Sequence, residues 1–336
     1  MRYAALLLAL PALAAQAEHI PSRFEADRVF VTPTTTKGET LRLYTDTGGG
    51  MNLLCRTAAQ RLGLTLEKLP PDPELSAELG DHLARTTLPS FAHGKGIPRN
   101  VNGKADFLVH DCRSIGRASA DSLGEGLLSQ HWFAGRVWTW DYPAQRLDLE
   151  DANWMPSSSA HAAPLGFKPA SGDAPAFHMP RLRVRIDGKD IDLLLDTGAT
   201  GVPTRAALAA QAAPIPVHGA RATSFITTAT LDAWRTAHPD WIVVEQADEL
   251  LAPRFLARAI RVPEVDIAGW TIGPVWFTER PDRAFRDFMS SMTDRPVEGA
   301  LGGNALSHFR MTLDYAGAQA HFECTRDCTA TRPPEP

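Results

Sequence analysis

Two aspartates in this chain open the same triplet: Asp46-Thr47-Gly48 and Asp196-Thr197-Gly198. Each follows an apolar run, Leu41-Arg42-Leu43-Tyr44 in one case and Ile191 to Leu195 in the other. A single Asp-Thr-Gly is an ordinary turn, whereas two at matched positions point to a carboxyl pair. Like charges a few ångströms apart repel strongly, so such a pair shares one proton, one affinity rising and the other falling. The ionised member can then deprotonate a bound water while the protonated member polarises a carbonyl. The glycine of each triplet lets backbone approach closely and offers N–H groups to the carboxylates.

For the pair to meet, the chain must build the same scaffold twice, and the sequence repeats accordingly. Val29-Phe30-Val31 and Leu41 to Tyr44 read as strands around the Lys37-Gly38-Glu39 turn. Leu182 to Ile186 alternates apolar and basic residues, Asp187-Gly188 signals a hairpin, and Ile191 to Leu195 runs into the second triplet. Glu125-Gly126-Leu127-Leu128 recurs as Glu298-Gly299-Ala300-Leu301, 173 positions on, and the same offset joins Thr139 to Thr312 and Asp141-Tyr142 to Asp314-Tyr315. The triplets are only 150 apart, which leaves 23 extra residues in the second half. They are expected between Thr204 and Arg258, where 206–213 and 231–238 look helical. A repeat on this scale is a duplication that makes the two triplets equivalent. Asp141 and Asp314 read as caps of turns at the end of closing strands.

On these residues the chain resembles the pepsin and retropepsin superfamily of aspartic endopeptidases. The resemblance rests on Leu43-Tyr44-Thr45-Asp46-Thr47-Gly48, on Leu193 to Ala199, and on Ala300-Leu301-Gly302. It implies a mostly β fold: two pseudo-twofold-related lobes with a cleft between them, each with a short helix after its triplet. It further implies that Asp46 and Asp196 hold the nucleophilic water, that Thr47 and Thr197 lock the two loops together, and that Gly48 and Gly198 donate backbone hydrogen bonds. The hydrophobic pairs Leu127-Leu128 and Ala300-Leu301, the latter followed by Gly302, would back the loops. The sequence departs from the family at Gly49 and Ala199, where a hydroxyl is usual, and at Ser129, where glycine is. No tyrosine lies between Tyr44 and Tyr142 to serve a flap, so His93-Gly94-Lys95-Gly96 is the flap candidate.

The remaining composition sets the context. Met1-Arg2, the apolar run 4–15 and Ala15-Gln16-Ala17 form a cleavable export signal over 1–17, giving a periplasmic or secreted chain without a membrane anchor. Loss of Arg2 moves the net charge from −5 to about −6, with no basic face for nucleic acid. Lobes are expected over 18–150 and 181–328, joined by a Pro/Ser/Ala-rich linker at 151–180 and followed by a disordered tail at 329–336. Four cysteines in an oxidising compartment favour disulfides, with Cys55–Cys112 and Cys324–Cys328 the simplest of three pairings. His321 beside the last two cysteines is a weak metal set, and neither metal nor cofactor is expected. The chain has no His-Glu-x-x-His, no Gly-x-Ser-x-Gly and no phosphate-cradling glycine loop. Trp138 and Trp140 read as sheet packing, and Trp241, Trp270 and Trp276 as buried; the eight tryptophans otherwise offer only a carbohydrate-cleaving rival. The expectation is a monomeric peptidase acting on peptide or protein substrates, against a silent peptide- or partner-binding module on the same scaffold.

Overall fold

The computed structural model describes residues 17–70, 83–100, 106–112, 114–115, 118–119, 123–172 and 176–331. The expected export signal therefore lies outside the described residues, Ala17 excepted. The described residues are mostly β, with large sheets and few helices. No helix among the described residues is long and apolar enough to cross a membrane.

Each triplet sits in a small strand arrangement that occurs twice. In an eight-stranded sheet, Gly126–Leu128 runs parallel to Leu43–Thr45 and antiparallel to Leu53–Cys55. In the larger, sixteen-stranded sheet, Gly299–Leu301 runs parallel to Lys189–Leu195 and antiparallel to Ser224–Thr227. The residue at the end of each strand is tied across: Asp46 N–H donates to the Leu128 carbonyl at 2.9 Å, and Asp196 N–H to that of Leu301 at 3.0 Å. Helices Arg56–Arg61 and Thr228–Ala237 follow the counterpart strands Leu53–Cys55 and Ser224–Thr227. Helix Arg205–Ala210 has no such counterpart, so most of the extra residues fall between Ala199 and Thr223, earlier than the spacing alone suggested. The Asp187-Gly188 hairpin turn is present, with φ of 52° and 70°.

The halves meet in the larger sheet. Val137–Asp141 pairs antiparallel with Phe309–Asp314, and Thr139 faces its own repeat partner Thr312 at 2.8 Å between hydroxyls. Trp138 and Trp140 are fully buried on this strand, as their alternation implied, while Trp241, Trp270 and Trp276 are only half-buried at the edge of the core. Asp141 and Asp314 each accept from the backbone N–H three residues on, Ala144 at 3.0 Å and Gly317 at 2.8 Å, and so cap their turns.

Two expected boundaries differ from the structure. The stretch 151–180 is not an open linker: strand His161–Lys168 joins Gln319–Cys324 on one side and Phe177–Ile186 on the other. Its buried positions, Ala163, Leu165 and Gly166, include only one large apolar side chain and so do not stand out in Pro/Ser/Ala-rich sequence. Nor is all of 329–336 a free tail, because strand Cys328–Ala330 pairs with Trp270–Ile272 and Thr331 N–H reaches the Gly269 carbonyl at 2.8 Å. Residues 332–336 lie outside the described residues. Both disulfides form as paired above, Cys55–Cys112 and Cys324–Cys328, which joins the cysteines near His321 to each other.

The Thr139 hydroxyl donates to Glu150 and so receives from Thr312. Thr139→Val strands both neighbours and should cost about 1–3 kcal/mol, more than Thr312→Val, which removes one bond and leaves the Glu150 contact in place. Urea midpoints at constant m would report this, and a reversed order would contradict the assignment.

Candidate active site

The two triplet loops are interlocked by their threonines. Thr47 N–H donates to Thr197 Oγ1 at 3.2 Å, Thr197 N–H donates to Thr47 Oγ1 at 3.0 Å, and Thr47 Oγ1 donates to the Leu195 carbonyl at 2.7 Å. Both threonines are buried, so these bonds are not traded against water. The crossing carries Asp46 and Asp196 close enough for each carboxyl to act on the proton affinity of the other.

That approach is possible only without side chains on the intervening glycines. A Cβ on Gly198 would stand 2.2 Å from Asp46 Cγ, and one on Gly48 would stand 2.8 Å from Asp196 Cγ. Each triplet glycine therefore faces the opposite carboxyl. Gly49 is constrained as well, since a Cβ there would lie 2.9 Å from the Asp46 carboxyl.

Electrostatics separate the two aspartates. Burial, then the Asp196 charge and hydrogen bond, hold Asp46 well above the usual carboxylate range; N–H groups of Gly48 and Gly49 oppose this. Burial also raises Asp196, but the bond donated by Asp46 and the N–H groups of Gly198, Gly48 and Ala199 pull it back. Gly198 N–H reaches Asp196 Oδ1 at 2.8 Å. Both carboxyls are thus raised by burial and coupled, so the pair holds one shared proton.

Several supporting residues carry no sequence signal of their own. Tyr44, two positions before Asp46, crosses to the other loop: its hydroxyl shares a 2.6 Å hydrogen bond with Thr200 Oγ1 and donates to the Thr197 carbonyl at 3.3 Å. Burial pushes that phenol well above its usual value, and Arg28 lies 5.7 Å from the ring centre. Ser129 does not weaken the first support loop. Its N–H donates to Asn52 Oδ1 at 2.8 Å, as Gly302 N–H donates to Ser224 Oγ at 3.0 Å, and Asn52 and Ser224 occupy the same position in their strand arrangements. Gln130 N–H and its side chain bond the Gly49 and Gly50 carbonyls, and its Oε1 receives His178 N–H. The signal the sequence does hold is Asn52 itself, a polar residue just before the apolar strand Leu53–Cys55.

Leu127 and Leu128 lie on strand Gly126–Leu128, and Ala300 and Leu301 on strand Gly299–Leu301. His93-Gly94-Lys95-Gly96 forms a turn whose backbone is tied to Thr34: Thr34 N–H donates to the Lys95 carbonyl and Ala92 N–H to that of Thr34, both at 2.9 Å. No group of three potential metal-ligating side chains occurs among the described residues. No protein-family model matches the chain, and no curated protein matches it.

Gly198→Ala should lower the thermal midpoint markedly, and more than Gly48→Ala, because overpacking costs about 1–3 kcal/mol and the first collision is closer. An unchanged midpoint for Gly198→Ala would mean that the loops do not approach as described. The raised affinity of Asp46 also has a signed consequence. The folded chain binds more protons than the unfolded one above the ordinary value of 3.8, so this stability is full at lower pH and is lost as pH rises through the raised value. Unfolding free energies across pH should fall less steeply for Asp46→Asn than for the wild type; parallel curves would refute the assignment.

Proposed function

We propose that this chain is an exported aspartic-type endopeptidase of the bilobal acid-protease kind, with Asp46 and Asp196 as the catalytic dyad. The observation that carries this reading is the pair of coupled carboxyls brought together at the crossing of two equivalent, threonine-locked loops. Ionised Asp196 takes a proton from a water held between the carboxyls, and protonated Asp46 polarises the peptide carbonyl under attack. The proton taken from water passes to the departing amine, so the dyad ends with the one proton it began with. Two matched half-sites on one chain make a second copy unnecessary, and the two disulfides agree with folding in an oxidising periplasmic or extracellular setting. The His93–Gly96 turn is the flap candidate within this reading.

Asp46→Asn and Asp196→Asn should each abolish cleavage of an unfolded protein substrate at acid pH, while circular dichroism and melting show a folded chain. Full activity in either variant would sink the proposal. Tight binding of a statine-containing peptide without turnover by the wild type would instead make the chain a binding module.

A further inference from the structure

The tight Cys324–Cys328 loop is unused by the dyad, yet it is built with care around one side chain. Thr325 N–H and hydroxyl both donate to the His308 carbonyl, at 3.0 and 2.7 Å, Arg326 N–H donates to it at 3.3 Å, and His308 Nδ1 lies 3.1 Å from the Arg326 carbonyl. The disulfide and this clamp fix the backbone of Arg326, whose guanidinium donates to Ser307 Oγ at 2.8 Å. Arg326 borders a cavity of about 280 Å³ that is also lined by Phe24, Asp27, Tyr142, Pro143 and Ser307.

The lining has three kinds of surface. Asp27 stands at the tip of the hairpin between Ser22–Glu25 and Arg28–Val31, and its nearest cation, Arg221, is a loose 3.9 Å away. Arg326 offers a second charge of the opposite sign. Phe24 and Tyr142, edge to face at 5.4 Å, give an aromatic wall with Pro143 beside it. The Tyr142 hydroxyl is buried without a hydrogen-bond partner and is close enough to Asp27 for its charge to act on it. A carboxylate and a guanidinium beside an apolar wall match one chemistry in particular: an ammonium and a carboxylate on one carbon that also bears an apolar side chain.

We propose that this cavity is a binding site for a free apolar α-amino acid, its ammonium at Asp27, its carboxylate at Arg326 and its side chain against Phe24 and Tyr142. The site lies apart from the dyad and does not depend on the peptidase reading. A second cavity of about 170 Å³ shares Asp27, Ser307 and Arg326 and reaches Thr223, whose N–H donates to the Ala199 carbonyl behind the Asp196 loop.

Calorimetric titration of the full chain with L-phenylalanine tests this, alongside N-acetyl-L-phenylalanine, which lacks the ammonium, and L-phenylalaninamide, which lacks the carboxylate. Saturable binding of phenylalanine is expected, weakened about tenfold or more by either blocked form. In R326A the free acid and the amide should bind equally weakly, with the thermal midpoint little changed because Arg326 is exposed. Binding in D46N should match the wild type, which separates this site from the dyad. No saturable binding, equal binding of a blocked form, or unaltered affinity in R326A would each overturn the proposal.

Discussion

Two carboxyls brought together in a largely desolvated site can bear only one negative charge between them, and the architecture around Asp46 and Asp196 follows from that constraint. Moving one carboxylate into such a site is costly unless hydrogen bonds replace its hydration. Here the replacement is almost wholly backbone, from Gly48, Gly49, Gly198 and Ala199. Backbone donors can converge on a carboxyl only where the chain comes close, hence the glycines facing the opposite aspartate. The buried threonine exchange, Thr47 to Thr197 and back, holds the two loops in that crossing.

The repeat is symmetric in its strands but not in its electrostatics. Asp46 is held well above the usual carboxylate range, whereas backbone N–H groups, Gly198 at 2.8 Å among them, and the Asp46 carboxyl pull Asp196 back toward it. Tyr44 adds to the asymmetry, because it reaches from the first half onto Thr197 and Thr200 of the second, whereas the matching residue, Leu194, is apolar and packs with Ala199 and Ala300. At the other end of the junction, Thr139 and Thr312 meet as repeat partners in one sheet. The two halves are thus tied by equivalent residues twice, and neither tie is available to one half alone.

What was legible in the sequence is what local chemistry encodes. Strand-to-triplet transitions, the Asp187-Gly188 turn and the capping aspartates depend on neighbours a few positions away, and they stand in the structure as read. Cys55–Cys112 was accessible because four cysteines leave few pairings. Strand His161–Lys168 was not, since its place is set by Gln319–Cys324 and Phe177–Ile186 rather than by its own composition. The reach of Tyr44, the Gln130–His178 bond and the seating of Arg326 by His308 were invisible for the same reason: partners separated by 153, 48 and 18 positions leave no periodic trace.

Ser129 in place of the usual glycine shows how the halves compensate for one another's differences. A Cβ on Gly302 would meet the Thr223 carbonyl at 1.9 Å and the Ala199 methyl at 2.9 Å, so the second half has no room for a side chain there. In the first half the residue matching Ala199 is Gly49, which brings no methyl, and the residue matching Ser224 is the longer Asn52. The side chain at 129 then becomes an asset: its hydroxyl, like its N–H, donates to Asn52 Oδ1, and it accepts His131 N–H. Ser224, being shorter, needs Asn304 to receive its own hydroxyl, at 2.8 Å. Gly302 is thus required by the Thr223 carbonyl in one half, whereas at 129 a side chain is seated by Asn52, so Ser129 does not loosen the loop that carries Asp46.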